Sequence, residues 1–339
     1  MIPIYRPILK IAWQILWRAK YLWFFGFFAV LVSNSGEVNL AINNFSSVGK
    51  QTDSLFSLKD LYSNGLIGTL FSRLSEMFAN FNAGVLVLLL ILVALFLFIL
   101  WLAITSQAGL IFGADKEYRK QISNFSSCFK AGRQNFWQVL GLNVIGKLII
   151  FGLMFVLGAP LAWLYLKSTS STAQFLFILL SFIILIPLAI IISFVIKYAI
   201  IFVVLNKQKV KESLKNGWNL FIKNWVVSIE MAILLFFVSI LAGLAMVIVA
   251  IILAIPLSLL LYLFYAIQVQ GFLMVATIIV FVALILVLFW IGALLSTYQM
   301  TCWVLLFDKL TSSQVYSKIA RFISGLAMRK KNNVIPNDL

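Results

Sequence analysis

Between Glu230 and Asp308 this chain carries no charged side chain, and the same is true between Glu76 and Asp115. Stretches of that length have one solvent that suits them, the hydrocarbon of a bilayer. There every backbone N–H and C=O must find a partner inside the protein, so such segments cross as α-helices or close into barrels. The unbroken apolar runs lack the alternation of a barrel strand and read as helices. The Glu230–Asp308 gap is long enough for two crossings of about 20 residues each with a turn between them. Composition agrees: 63% of the residues are hydrophobic, 11% are charged and the mean hydropathy is +1.08, well outside the range of soluble domains. The fold class is all-α integral membrane.

Six spans are predicted, at 19–35, 83–113, 138–166, 173–205, 226–262 and 270–307. The first is short: Tyr21 to Gly36 is free of charge, about 24 Å of helix against about 30 Å of hydrocarbon. It crosses if Arg18 and Lys20 snorkel toward the headgroups. Charge bias supports the crossing. With six spans and the N-terminus inside, segments 1–20, 114–137, 206–225 and 308–339 hold 20 of the 26 Lys and Arg residues, as the positive-inside rule requires. The expected location is a bacterial plasma membrane, with both termini cytoplasmic. The apolar run after Lys20 is packed with Trp23, Phe24, Phe25, Phe27 and Phe28, and is expected to stay as an uncleaved span.

A short pattern recurs ahead of the outward spans: lysine, a small residue two positions on, a side-chain amide four positions on. It reads Lys10-Ile11-Ala12-Trp13-Gln14, Lys130-Ala131-Gly132-Arg133-Gln134 and Lys215-Asn216-Gly217-Trp218-Asn219. The spans that return end in Asp115-Lys116, Asn206-Lys207 and Asp308-Lys309, with Ser106, Lys197 and Gln299 nine residues earlier in each. The predicted architecture is therefore three hairpins as parallel internal repeats, each preceded by a basic amphipathic interfacial helix. The expected anchors of those helices are Lys10, Trp13, Trp17, Arg18, Lys130, Arg133, Lys215, Trp218, Lys223 and Trp225, with indoles at the headgroup boundary and cations against anionic lipid. The first hairpin carries an insertion, 36–82, expected outside, with an amphipathic helix over 66–81. Residues 309–339 form a basic cytoplasmic tail. Pro160, Pro187 and Pro256 are expected to kink their spans, and Gly141, Gly146, Gly152 and Gly158 to permit close helix contacts.

Catalytic constellations are absent from the sequence. There is no histidine and there are only two cysteines, Cys128 and Cys302, far apart, so no cofactor, metal site or structural disulfide is expected. The acids of the insertion, Glu37, Asp53, Asp60 and Glu76, are scattered, and no enzyme activity is expected. The net charge of +16 belongs to the ends of apolar runs and points to anionic phospholipid headgroups, not to nucleic acid. Ionisable residues inside spans are costly and draw attention. Lys147, Lys197 and Glu230 fall in the cytoplasmic half, with Asn143, Gln107 and Gln299 at similar depths. Together they form a candidate intramembrane polar layer.

The segment from Lys211 to Trp225, taken with Ser126 to Trp137, resembles a broad group of poorly characterised bacterial multi-pass proteins. That group is similar to the membrane region fused to some glycerophosphodiester phosphodiesterases. The resemblance covers about residues 85–325 and implies a bacterial plasma-membrane protein. It implies no hydrolase activity, because that activity belongs to a separate soluble barrel. The expected function is to bind or move an anionic lipid or small solute through the cytoplasm-facing polar layer. The alternative is a structural or assembly protein that docks a membrane-protein partner through its interfacial helices and outer loop.

Overall fold

The computed structural model describes residues 5–30, 83–167, 171–266 and 270–312. Nine helices occupy these residues: α1 (Tyr5–Arg18), α2 (Leu22–Ala29), α3 (Ala83–Tyr118), α4 (Phe125–Gln134), α5 (Phe136–Lys167), α6 (Ser171–Asn206), α7 (Val210–Lys223), α8 (Trp225–Ala266) and α9 (Gln270–Ser312). Five of them, α3, α5, α6, α8 and α9, are long and apolar enough to cross a membrane. The first predicted span is described only as far as α2 and Val30. The insertion with its 66–81 helix and the basic tail beyond Ser312 lie outside the described residues.

The five later predicted spans are present as helix, each longer than the apolar pattern suggested. Asp115 and Lys116 continue α3 for another turn to Tyr118, and α9 runs on past Asp308 to Ser312. A helix keeps its hydrogen bonds after hydropathy drops, so polarity marks the membrane boundary and not the helix end. α5, α6 and α8 run unbroken through Pro160, Pro187 and Pro256. α3 and α6 are each followed by a lysine with positive φ, Lys120 at 54° and Lys207 at 53°. This is the left-handed turn that commonly ends a helix.

The chain divides into two compact units, Asn34–Trp101 and the remainder. The described part of the smaller unit is the first half of α3, whose side chains from Leu89 to Ile99 are exposed and apolar.

In the larger unit the core lies toward the ends of α3, α6 and α9. Residues 103–111, 198–204 and 301–307 are buried without interruption. α6 meets α9 through Phe202 and Phe307 at 4.7 Å and through Phe194 and Trp303 at 5.3 Å between ring centroids. Arg119 ties α3 to α9, donating to Asp115 and Asp308 at 2.9 Å each. The Asp115 hydrogen bond holds the Arg119 guanidinium above even its usual high pKa.

The remaining helices fill the grooves between these three. α5 bonds to α3 and packs on α6, α8 bonds to α6 and packs on α9, and α2 packs on α9 and against Gly109 and Gly113 of α3. The short helices follow the same order. α4 lies on α3 and α7 on α6, while α1 lies on α9. α4 and α7 thus each dock on the long helix immediately before them in the chain, while α1 and α2 dock on the last.

Candidate functional site: the basic rim

The lysine-small-amide pattern is a two-sided device. At about 100° per residue, positions i and i+4 share a helix face and position i+2 points the opposite way. The small residue is the docking side. A Cβ added to Gly132 would lie 2.2 Å from the carbonyl oxygen of Thr105 on α3, and one added to Gly217 would lie 2.9 Å from the carbonyl oxygen of Val195 on α6. Ala12 is fully buried, and its neighbour Leu9 accepts a 3.4 Å hydrogen bond from Tyr298 on α9. The rest of the buried stripe keeps the same register: Ile8, Cys128 and Ser213 stand two residues before the motif lysine and are all buried.

The other side is exposed. It carries Lys10, Trp13, Gln14, Trp17 and Arg18 on α1, Lys130, Arg133 and Gln134 on α4, and Lys215, Trp218, Asn219 and Lys223 on α7, with Trp137 and Trp225 opening α5 and α8. The interfacial anchors read from the sequence are therefore all on the open face. Arg18 has an additional role, since Glu117 at the end of α3 accepts from its Nη2 at 2.6 Å and from its Nε at 3.0 Å. Glu117 also accepts from Tyr21 and Ser123. The apolar side of these helices is covered by protein, which differs from a free amphipathic helix with its apolar face in lipid.

Local signals set the helix ends. Ser127 accepts the Asn124 N–H and donates to the Asn124 carbonyl, closing the start of α4. Glu212 in the first turn of α7 favours the positive end of the helix dipole. Asn135 and Asn224 fold back onto Ala131 and Leu220 where α4 and α7 stop. α4 ends four residues after its motif lysine and α7 eight after, so the second rim helix is a turn shorter.

The polar-layer residues have varied settings. Asn143 donates to Gln107 at 2.9 Å across α5 and α3, and both are buried. Gln299 donates to Ser239 on α8 at 2.7 Å. Glu230 accepts from the Tyr5 hydroxyl of α1. Lys197 is half-buried with its ammonium 5.2 Å from the centre of the Trp303 ring and 6.0 Å from that of Phe194, a cation–π setting that offsets part of its desolvation. Lys147 is exposed on α5.

One contact escaped the sequence reading. Tyr198 and Ser228 share a 2.7 Å hydrogen bond across α6 and α8. Gln107 and Tyr198 each stand eight residues before the Asp/Asn-Lys ending of their helix, and Asn143 and Ser228 each stand thirteen after a motif lysine. The same pair of positions is bonded twice. A tyrosine and a serine inside apolar runs give no composition signal; only the register could have found them.

The glycine expectation needs correction. Gly146 does sit against Ile196, 2.9 Å from an added Cβ, but a Cβ on Gly141 or Gly152 would meet nothing within 4 Å. Spacing along one helix does not say which side faces a neighbour. Among the described glycines those at close approaches are Gly26, Gly109, Gly113, Gly132, Gly146 and Gly217, and the surroundings of Gly158 lie outside the described residues.

No protein-family model matches this chain, and neither the curated proteins nor the solved structures include a match to it.

Proposed function

We propose that this chain is a six-span, non-enzymatic protein of a bacterial plasma membrane that binds anionic phospholipid at the cytoplasmic leaflet through its basic rim. In this reading the three hairpins are parallel repeats related by an approximate threefold axis, both termini are cytoplasmic, and α2 with the residues after it makes the first crossing. The recurrence of rim docking and of the Gln107–Asn143 and Tyr198–Ser228 contacts in one register supports the repeat. Of the polar layer, Lys197, Glu230, Asn143, Gln107 and Gln299 then serve chiefly to join helices beneath the rim, through the Trp303 ring, Tyr5, each other and Ser239, while Lys147 stays on the exposed side of α5.

One observation carries the lipid reading. The small side of each motif is consumed by protein contact, while lysine and amide are left together on the open side, joined by an indole on α1 and α7 and by Arg133 on α4. Cations beside an anionic leaflet contribute roughly 1 kcal/mol each, and indoles favour the same depth.

The test is to extract the protein with its surrounding lipid in polymer nanodiscs and compare the lipid composition with that of the bulk membrane. Enrichment of anionic phospholipid is expected, and it should fall toward the bulk ratio when Lys10, Lys130, Lys215 and Lys223 are all changed to Gln. No enrichment in the wild type would defeat the proposal. A protein held stoichiometrically in place of lipid would favour the assembly role instead.

A further inference from the structure

The three rims differ in how much charge they line up. On α1, Arg6, Lys10, Gln14 and Arg18 recur every fourth residue, and on α7 Lys211, Lys215, Asn219 and Lys223 do the same. All eight are exposed. Successive members of such a row are about 6 Å apart along the axis, a spacing at which two neighbouring cations converge on one phosphate while the amide beside them donates to its ester or headgroup oxygens. The order cation, cation, amide, cation is identical on the two helices. On α4 the same positions hold Ser126, Lys130 and Gln134, after which the helix ends. The second row has one cation where the others have three.

The first and third rows are not equal either. Glu117 takes Arg18 into an ion pair, whereas the ion pairs among the described residues leave out Lys211, Lys215 and Lys223. Lys207 and Lys209 lie just ahead of the third row, so residues 207–223 hold five lysines against the single acid Glu212.

Resting on the lipid reading above, we infer that the rim holds two anionic phospholipids and not three. The tighter site is on the Lys211–Lys215–Asn219–Lys223 row, a weaker one is on the Arg6–Lys10–Gln14 row, and α4 holds none. A lipid is the occupant, and not free phosphate, because each charged row runs beside exposed indoles: Trp13 and Trp17 on α1, Trp218 on α7 with Trp225 just beyond it. Indoles add nothing to an inorganic anion in water but favour the headgroup boundary.

Native mass spectrometry of the full chain in a neutral detergent, titrated with phosphatidylglycerol and in parallel with phosphatidylcholine, reads this directly. Two retained phosphatidylglycerol molecules are expected at saturation. Lys211→Gln with Lys215→Gln should weaken the tighter one about 30-fold, at roughly 1 kcal/mol per cation. Arg6→Gln with Lys10→Gln should remove the weaker one. Lys130→Gln with Arg133→Gln should leave both, and Lys211→Arg with Lys215→Arg should keep binding. All these positions are exposed, and an unchanged unfolding temperature verifies each variant. Equal weakening by the α4 pair would overturn the two-site inference while sparing the lipid reading. Displacement by millimolar inorganic phosphate would overturn the choice of a lipid. No preference over phosphatidylcholine would overturn both.

Discussion

Gly132→Ala is expected to destabilise the protein by about 1–3 kcal/mol, the range for forcing atoms into a filled contact, whereas Gly152→Ala is expected to be neutral or mildly stabilising. The contrast is one of geometry. At Gly132 the added methyl would meet the Thr105 carbonyl oxygen at 2.2 Å and the Thr105 carbonyl carbon at 3.0 Å. Those are backbone atoms of a buried helix, so α4 must lift off α3 to make room. Gly217→Ala meets backbone at 2.9 Å and 3.0 Å and should cost less than Gly132→Ala. Gly152, Gly243 and Gly292 would place the methyl in open space, where removing glycine from a helix interior gains up to about 1 kcal/mol. Thermal unfolding in detergent, followed by loss of the monomer peak, should rank Gly132→Ala lowest, then Gly217→Ala, then wild type with the three open-space variants. An inverted order would mean that the rim helices are not seated on the long helices as described.

Asn143→Leu is expected to cost about 1–3 kcal/mol, the penalty for leaving a buried amide unsatisfied. It strands the Gln107 side chain, which is 5% exposed and accepts from Asn143 at 2.9 Å. Changing both partners, Gln107→Leu with Asn143→Leu, should recover most of the loss, because two apolar groups of similar size replace a bonded polar pair. Membrane-embedded hydrogen bonds average well under 2 kcal/mol, so the single variant sits toward the lower end of the range. The equivalent pair, Tyr198→Phe with Ser228→Ala, should behave alike. A double-mutant cycle with no coupling at either pair would remove the shared register from the case for a repeat.

These two predictions also separate what the sequence makes legible from what it hides. Charge-free runs locate the long helices because a bilayer tolerates few alternatives, and the repeated lysine and amide stand out because they interrupt polar joints of known length. Hidden was the use of the small residue between them. Ala12, Gly132 and Gly217 each press on a long helix that the periodicity of their own short helix cannot name. Gly141 and Gly146 look alike in sequence, yet one faces open space and the other Ile196. In a membrane helix both sides are apolar, so hydropathy gives no inside and outside. The polar side chains within the apolar runs stood out for a related reason: an amide or a charge in hydrocarbon demands a partner. Which partner it takes depends on rotation about the helix axis, which composition does not encode. Ser106, Lys197 and Gln299 share a position, but Lys197 lies over Trp303 and Gln299 turns to Ser239.

The proposed repeat requires that the chain's first and last described elements close on one another, α1 and α2 on α9. Trp23 of α2 and Trp290 of α9 meet edge to face with ring centroids 5.5 Å apart, so cysteines in their places fall within reach of a short bis-methanethiosulfonate cross-linker. Trp23→Cys with Trp290→Cys, combined with a protease site placed in the 45–60 stretch, should give one band on a non-reducing gel after cross-linking and cleavage in membranes, and two bands once reduced. Cys128 and Cys302 are buried, and burial pushes the Cys128 thiol up to about 11, so at pH 8 both should stay out of the reaction. Fragments that separate without reductant, or that join only between chains, would contradict the closed arrangement.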